Sequence, residues 1–171
     1  MRNCFLFISL LFIFGCGNDQ HQKIVITNKQ LEKPLINQNK RLVKKEKEAI
    51  EAYISRHNWK MDTTGTGLRY MIYEHGTGPL VNIGQRAKVN FNISLLDGTE
   101  CYSSKKKGAE VFTVWEDHVE SGLHEGIILM HVGDKAKFIL PPHLAHGLLG
   151  DDNKIRPLST IVYDIELLEI K

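Results

Sequence analysis

Strict alternation of apolar and polar residues is clearest in residues 87–95. Lys, Asn and Ser fill the polar positions, and the apolar positions are Ala87, Val89, Phe91, Ile93 and Leu95. Successive side chains of a strand point to opposite faces of a sheet, so this period of two predicts a half-buried antiparallel strand. Asp97-Gly98 follows directly and predicts a hairpin turn.

Four further segments are short and apolar or aromatic enough to be strands. They are residues 68–74, 111–114, 135–140 and 160–170. The last one alternates again, with Ile161, Tyr163, Ile165 and Leu167 on one face. The glycines and proline of residues 76–79 predict a turn between the first two strands, and Pro141-Pro142 ends the strand at 135–140.

Two segments have helical spacing instead. In residues 39–60 basic and acidic residues separate an apolar set that predicts one amphipathic helix, namely Leu42, Val43, Ala49, Ile50, Tyr53 and Ile54. This helix either docks a partner or a second copy, or it lies on its own domain as a spacer, and the second alternative is favoured.

A shorter helix is predicted after Asp117, which is placed to cap it. Its apolar stripe is Val119, Leu123, Ile127 and Met130, and Gly133 follows where a helix C-terminus favours glycine. The order of strands, one short helix and more strands predicts an α+β domain on an antiparallel sheet.

The first fifteen residues differ from the rest. A basic residue at position 2 precedes an apolar run over residues 5–14, which is typical of a signal peptide and too short for a membrane-spanning helix. The run ends in Ile13-Phe14-Gly15-Cys16, which resembles a bacterial lipobox and implies lipidation of Cys16. An ordinary cleaved signal is the alternative. Residues 16–38, rich in Asn, Gln and Lys, are predicted to be a tether.

Composition and charge narrow the function. The 171 residues carry a formal net charge of +2 without a basic stripe, so we expect no nucleic-acid partner. Cys101 is the only cysteine beyond the predicted lipidation site, so no internal disulfide is expected.

The sequence contains few signs of covalent or metal chemistry. It lacks a phosphate-binding glycine loop and a Gly-x-Ser-x-Gly elbow. Ser103-Ser104 have no evident activating base nearby in sequence. The histidines at 118, 124, 131, 143 and 146 crowd one region, but their spacing does not match a common metal motif, so we expect neither a metal nor a cofactor.

Several motifs resemble the FKBP family of peptidyl-prolyl cis/trans isomerases, in the family's order and over about residues 66–171. They are Val89-Asn90-Phe91, Leu95-Leu96-Asp97-Gly98, Ser103-Ser104, Gly122-Leu123-His124-Glu125-Gly126, Pro142-His143-Leu144-Ala145-His146-Gly147 and Ser159-Thr160-Ile161-Val162-Tyr163-Asp164-Ile165-Glu166-Leu167-Leu168. The resemblance implies an FKBP-like twisted antiparallel β-sheet wrapped around one short α-helix. Together with the segments above, the predicted domains are the signal peptide at residues 1–15, the tether at 16–38, the amphipathic helix at 39–60 and the isomerase domain at 61–171.

The same resemblance implies a set of site residues. Leu123 would be the floor of a proline pocket where many relatives have tryptophan, and Tyr163 would be a wall. Val119 and Ile155 would be apolar sides, and the backbone of Glu120 would anchor the peptide. Catalytic positions would be Phe91, Tyr102, Phe112, His146 and Tyr163.

Some of these positions depart from the family pattern. Phe91 lacks the usual hydroxyl, and His146 stands where a tyrosine usually donates to a peptide carbonyl, which a ring N–H could replace. Cys101 and Tyr102 replace a Phe-Asp pair, so an acid is missing. The remaining pocket aromatic corresponds to Glu110, or to Phe112 if the register shifts by one or two residues.

Two functions are compatible with these residues. The first is a membrane-tethered isomerase that acts on proline-containing exported polypeptides. The second is a non-catalytic chaperone or partner-binding module that keeps the proline pocket. The lipobox, the preceding helix and residues 150–155 also resemble lipoproteins associated with gliding motility in Bacteroidetes. That resemblance implies a periplasm-facing lipid anchor in the cell envelope, at the outer membrane.

Overall fold

The computed structural model describes residues 28–171, with side chains described from residue 33. The predicted signal peptide and Cys16 lie outside this range. Residues Gln38–Lys171 form one compact unit.

Helices and strands follow one another as predicted for an α+β domain. The helices are α1 (Asn28–Arg56), α2 (Ser104–Lys107) and α3 (Ser121–Ile127), with a 3-10 turn at Pro142–Leu144. The strands are β1 (Asp62–Thr63), β2 (Arg69–Glu74), β3 (Arg86–Leu95), β4 (Glu100–Ser103), β5 (Glu110–Thr113), β6 (Lys135–Leu140) and β7 (Ile161–Ile170). The predicted antiparallel α+β fold is confirmed.

The sheet has the order β1-β2-β6-β7-β3-β4, and β5 also pairs with β3. All of these pairs are antiparallel. The last strand, β7, lies between β3 and β6 in the middle of the sheet. β3 is shared, since its first half pairs with β5 and its last residues pair with β4.

Alternation along the strands gives the sheet two differently covered faces. The inner face carries the alternate residues of β3, together with Phe138 and Tyr163, and packs against α3. The outer face carries Ile139 and Val162, which are sequence neighbours of Phe138 and Tyr163, and packs against α1.

Helix α3 approaches the inner face through glycine. A Cβ added at Gly126 would lie 2.6 Å from the Phe138 ring, and one added at Gly122 would lie 2.6 Å from the Leu140 side chain. Contacts this short are repulsive, so only glycine allows the helix backbone to come this near to β6.

The boundaries of both predicted helices differ from the sequence predictions. Helix α1 starts at Asn28, not at residue 39, and ends at Arg56, so part of the predicted tether is helical and contains Pro34. Asp117 does not cap α3, because its carboxylate accepts a hydrogen bond from the Thr113 N–H (2.6 Å). Glu120 is the N-cap residue of α3 instead.

The end of α3 differs as well. The helix stops at Ile127, so Met130 is buried beyond the helix and does not continue its stripe. Gly133, with φ of +93°, belongs to the turn that leads into β6. Within residues 28–171 no helix combines the length and apolar character needed to cross a bilayer.

Candidate functional site

A cavity of about 430 Å³ opens between β3, β7 and the start of α3, and we call it the slot. Its lining comes from β3, β4, α2, β5, α3, β7 and the loops before α3 and after the 3-10 turn. The residues are Phe91, Ile93, Tyr102, Lys107, Glu110, His118, Val119, Glu120, Leu123, Ala145, His146 and Tyr163.

The inner part of the slot is apolar. Phe91 and Tyr163 stand on neighbouring strands, with ring centroids 6.4 Å apart and ring planes inclined by 52°. Leu123 of α3 is also buried here, and Val119 is half-buried. This part can accept a small apolar ring and exclude water from it.

A serine fixes the backbone next to Phe91. Ser104 Oγ accepts a hydrogen bond from the Phe91 N–H (3.0 Å) and donates one to the Phe91 carbonyl (3.2 Å). Phe91 lies where β3 passes from its β5 partner to its β4 partner, so these bonds replace missing ladder bonds. Ser104 therefore has a positioning role in the fold.

Glu120 brings a carboxylate into the slot between two polar side chains. Its Oε1 lies 2.9 Å from Nε2 of His146, and its Oε2 accepts a hydrogen bond from the Tyr163 hydroxyl (2.9 Å). The Glu120 side chain is 12% exposed. Burial, and then the charge of Glu120, raise the pKa of Tyr163 well above its ordinary value, so this phenol stays protonated and donates.

Tyr102 forms the opposite wall and is held by Asp151. Its hydroxyl donates to Oδ2 of Asp151, and this bond raises the pKa of Tyr102. Burial disfavours the charged form of Asp151, but its bonds from Tyr102 and from the Ile155 and Asn153 N–H groups outweigh that effect and lower its pKa. The carboxylate is therefore ionised and bonded within the loop.

Two ammonium groups flank the Tyr102 ring. Nζ of Lys107 lies 4.5 Å from the ring centroid, and Nζ of Lys154 lies 5.3 Å from it. Lys154 also donates to the Cys101 carbonyl (2.7 Å), which connects the loop after Asp151 to β4. These contacts hold the ring of Tyr102 at the edge of the slot.

Seven of the nine residues predicted for the pocket line the slot. They are Phe91, Tyr102, Val119, Glu120, Leu123, His146 and Tyr163. Phe112 and Ile155 lie in the core beside it, each 2% exposed. Of the two alternatives for the remaining aromatic position, Glu110 lines the slot, whereas Phe112, two residues further along β5, is buried in the core.

Other lining residues were not predicted. Ile93 follows Phe91 by two residues and lies on the same face of β3. The alternation in the sequence could therefore have identified it as a lining residue. Lys107, His118 and Ala145 come from loops and a short helix, where no periodic signal exists. The side chain of Glu120 was also missed, because only its backbone was expected to matter.

The five histidines serve separate purposes. His124 is buried, accepts a bond from the Trp115 N–H through Nδ1 (3.0 Å) and donates from Nε2 to the Asp117 carbonyl (3.0 Å). His143 donates from Nε2 to the Thr66 carbonyl (2.9 Å). Within the described part of the chain, no three His, Cys, Asp or Glu side chains converge as metal ligands.

Comparisons with known proteins identify relatives for this fold and slot. A family model described as FKBP-type peptidyl-prolyl cis-trans isomerase matches residues 78–168, more than half of the chain. FkpA of Escherichia coli K12 is 38% identical over 109 residues, which cover 64% of this chain and 40% of that protein. FkpA of Aeromonas hydrophila is 37% identical over 128 residues, covering 75% and 46%.

Solved structures agree with the sequence relatives. The crystal structure of Escherichia coli FkpA superposes with a TM-score of 0.65 and 30% identity, covering 86% of this chain and 74% of that one. The crystal structure of AtFKBP13 gives a TM-score of 0.64 and 26% identity, covering 66% and 100%. The chain spans about half the length of the curated relatives it matches. By sequence and by fold, the chain belongs to the FKBP-type peptidyl-prolyl cis-trans isomerase family.

Proposed function

We propose that this chain is a peptidyl-prolyl cis/trans isomerase and that the slot holds the proline ring of its substrate. The slot carries the proposal, because it puts an apolar recess beside a small number of fixed polar groups. Proline-containing polypeptides are the corresponding substrate class.

The reaction needs no nucleophile, metal or cofactor. The barrier is rotation about a C–N bond with partial double-bond character, about 18–20 kcal/mol. The planar amide owes its resonance to charge separation, which an apolar recess solvates poorly. The twisted transition state is less charge-separated, so the recess stabilises it relative to the planar ground state. Accordingly, shape and desolvation are the main requirements of the site.

Each part of the slot then has a role. Phe91, Leu123, Val119 and Tyr163 would enclose the proline ring. The Glu120 N–H, which donates to no described residue, would anchor a peptide carbonyl at the start of α3. Tyr102 and His146 would border the neighbouring residues of the peptide, and Phe112 and Ile155 would support the walls from behind.

The location follows from the sequence outside the described residues. A lipid on Cys16 would tether the domain to a membrane of the cell envelope, on the periplasmic side of the outer membrane. A multi-chain anchor is strong enough for this, whereas a single chain binds marginally. The clients would then be exported proteins, and gliding-motility lipoproteins would be the relevant subgroup.

The polar groups of the slot favour a second function, a binding module without turnover. Relative to the family pattern, the hydroxyl at position 91 and the acid at position 102 are absent, and the Glu120 carboxylate lies in the slot. Such a slot could hold a proline segment without accelerating its rotation.

Exchange NMR on X–Pro peptides with the full-length protein separates the two functions. We expect the cis/trans exchange rate to exceed the uncatalysed rate, which corresponds to tens to hundreds of seconds. Ala145→Phe should fill the mouth of the slot and reduce the acceleration more than about tenfold, since the ring occupies the substrate's volume. Ile83→Phe, on an exposed loop outside the slot, is the matched control.

Binding without acceleration would establish the binding module and reject the isomerase. An acceleration that Ala145→Phe leaves unchanged would mean that the slot is not the site.

A further inference from the structure

We propose that His124 is a positioning residue for the peptide site. Its buried ring holds the turn after β5, residues 113–117, and through that turn it fixes the part of the slot rim formed by His118, Val119 and Glu120. The inference rests on the proposed function in taking the slot as the place where the peptide binds.

The imidazole ring of His124 joins two backbone groups of the turn. Its Nδ1 accepts a hydrogen bond from the Trp115 N–H (3.0 Å), and its Nε2 donates to the Asp117 carbonyl (3.0 Å). A backbone N–H only donates and a backbone carbonyl only accepts, so a neutral ring with its proton on Nε2 satisfies both partners. One flat side chain therefore fixes the turn at two points that are two residues apart.

The backbone of the turn needs such support. Trp115 has φ of +65°, in the left-handed region that bulky residues rarely adopt. The His124 ring stacks on the Trp115 indole, with centroids 5.3 Å apart and ring planes inclined by 21°. The same ring lies 5.7 Å from the Phe112 ring of the core, in an edge-on arrangement, and His124 is only 5% exposed. Trp115 is thus held through both its N–H and its side chain.

The turn is bonded directly to the slot rim. The Asp117 carbonyl that meets the His124 ring also accepts a hydrogen bond from the Val119 N–H (3.0 Å). On the other side, the Glu120 carbonyl accepts from the N–H of His124 (3.2 Å). Val119 and Glu120 line the slot, whereas His124 does not. His124 therefore acts through the rim, where the Glu120 N–H is the proposed anchor for a peptide carbonyl.

An apolar side chain at position 124 would fill the space but not replace the ring. Among the described residues, the Trp115 N–H has no acceptor other than His124. Without that acceptor the N–H gains a partner by turning to water, and Trp115 can leave its left-handed conformation at the same time. The turn would open, and the rim that follows it would lose its fixed place.

Amide hydrogen exchange, measured by NMR on the full-length protein, tests the turn. We expect the Trp115 amide to be protected in wild type and to exchange about tenfold faster in His124→Leu, which removes both ring bonds. His124→Asn keeps an acceptor near the Nδ1 position and should change that rate by less than about threefold. Ile127→Val is the control, because it weakens the packing of α3 in the core and leaves the turn bonded.

Peptide binding tests the rim. Chemical-shift titration with acetyl-Ala-Leu-Pro-Phe-methylamide gives the dissociation constant independently of catalysis. We expect His124→Leu to raise this constant about fivefold, since the peptide must then order the rim as it binds. His124→Asn and Ile127→Val should stay within about twofold of wild type. In exchange NMR, saturating peptide should restore most of the acceleration that His124→Leu loses, because the apolar recess is retained.

A second variant covers the case in which His124→Leu does not fold. His124→Gln extends an amide towards Asp117 and leaves the Trp115 N–H without its acceptor, so the same acceleration at Trp115 and the same weaker binding are expected.

Trp115 exchange that stays unchanged in the leucine or glutamine variant would overturn the inference, and so would faster exchange without weaker peptide binding. Weaker binding in these variants, in a protein that does not accelerate X–Pro exchange, would support the inference and remove the isomerase function. A wild-type protein that binds no peptide would overturn both.

Discussion

The backbone of helix α3 packs so closely against the inner face of the sheet that only glycine fits at the contact. Helix α1, in contrast, contacts the outer face through large side chains and polar bonds. On the inner face Gly126 leaves room for the Phe138 ring, which is fully buried. On the outer face Ile50 and Tyr53 cover Ile139 and Val162, and that cluster contains these four buried residues.

Polar bonds supplement the smaller outer cluster. Arg69 of β2 pairs with Glu51 of α1 (2.9 Å) and donates to the Gly67 carbonyl (2.7 Å). Thr160 donates to Glu46 (3.3 Å). A continuous apolar core can position the slot to a fraction of an ångström, while a small cluster with polar bonds can hold a helix that need not be placed so accurately.

Phe138→Ala should have the largest effect, because it empties the centre of the inner core. We expect a loss of about 3–5 kcal/mol in the free energy of unfolding, measured with urea. Phe138→Leu is the control, and it should cost less than the alanine variant. A loss below about 1 kcal/mol for alanine would show that the inner core is loosely packed.

Ile50→Ala tests the outer face and should have a smaller effect. Ile50 is 2% exposed, so a cavity forms, but the cluster is small and alanine favours the helix. We expect a loss of about 2 kcal/mol, with Ile50→Val costing less. Hydrogen exchange should accelerate in α1 and stay slow in β3 and β7. Equal acceleration in the inner strands would mean that the two faces unfold as one unit.

Gly126→Ala tests the close approach of α3. The added methyl would collide with Phe138, so we expect a loss of about 1–2 kcal/mol despite the better helix propensity of alanine. Gly65→Ala is the matched control, since a Cβ there meets nothing within 4 Å. If Gly126→Ala proved neutral, α3 would be free to shift and the slot would be less fixed than the contact distances indicate.

Glu46→Gln should have the smallest effect and the opposite sign. Burial raises the pKa of Glu46 above its ordinary value of 4.5, against smaller opposing contributions from Thr160, His143 and Arg69. A raised pKa in the folded state means that the contribution of Glu46 is greatest at acid pH and is lost as pH rises through the folded pKa. Because the side chain is only partly buried and solvent screens its charge, we expect Glu46→Gln to stabilise by less than about 0.5 kcal/mol at neutral pH.

The measurement for Glu46→Gln is urea unfolding at neutral pH and again below the ordinary pKa, where the difference should vanish. Glu48→Gln, on the same helix but exposed, is the control. A destabilised Glu46→Gln would mean that the charge of Glu46 contributes favourably at the outer face.

Alternation in the sequence predicted β3 and β7 well because alternate residues of these strands face the inner core. β6 was predicted from its apolar character and from the prolines that end it, since its last three residues are all buried. The start of α1 was missed because its first turns are rich in Asn, Gln and Lys and include Pro34, and these residues carry little helical signal. Asp117 was predicted to cap α3 because aspartate is a common N-cap residue. In the structure its carboxylate instead accepts a hydrogen bond from the Thr113 N–H.

The polar part of the slot was hardest to predict. Glu120, His146 and Tyr163 come from three separate elements, and nothing local in the sequence connects them. A motif gives the residue type at each position, but which atoms pair depends on how the elements pack. The pairing of the Glu120 carboxylate with both His146 and Tyr163 is a result of that packing.

The central place of the last strand has a consequence for how the chain can be delivered. β7 completes the ladders of both β3 and β6, so residues 161–170 must be present before the sheet can close. A chain that emerges N-terminus first, from a ribosome or through a pore, would expose the unpaired edges of β3 and β6 until residues 161–170 arrive. The sheet could then close only after β7 has been delivered, and until then the chain would depend on other factors to keep those edges apart.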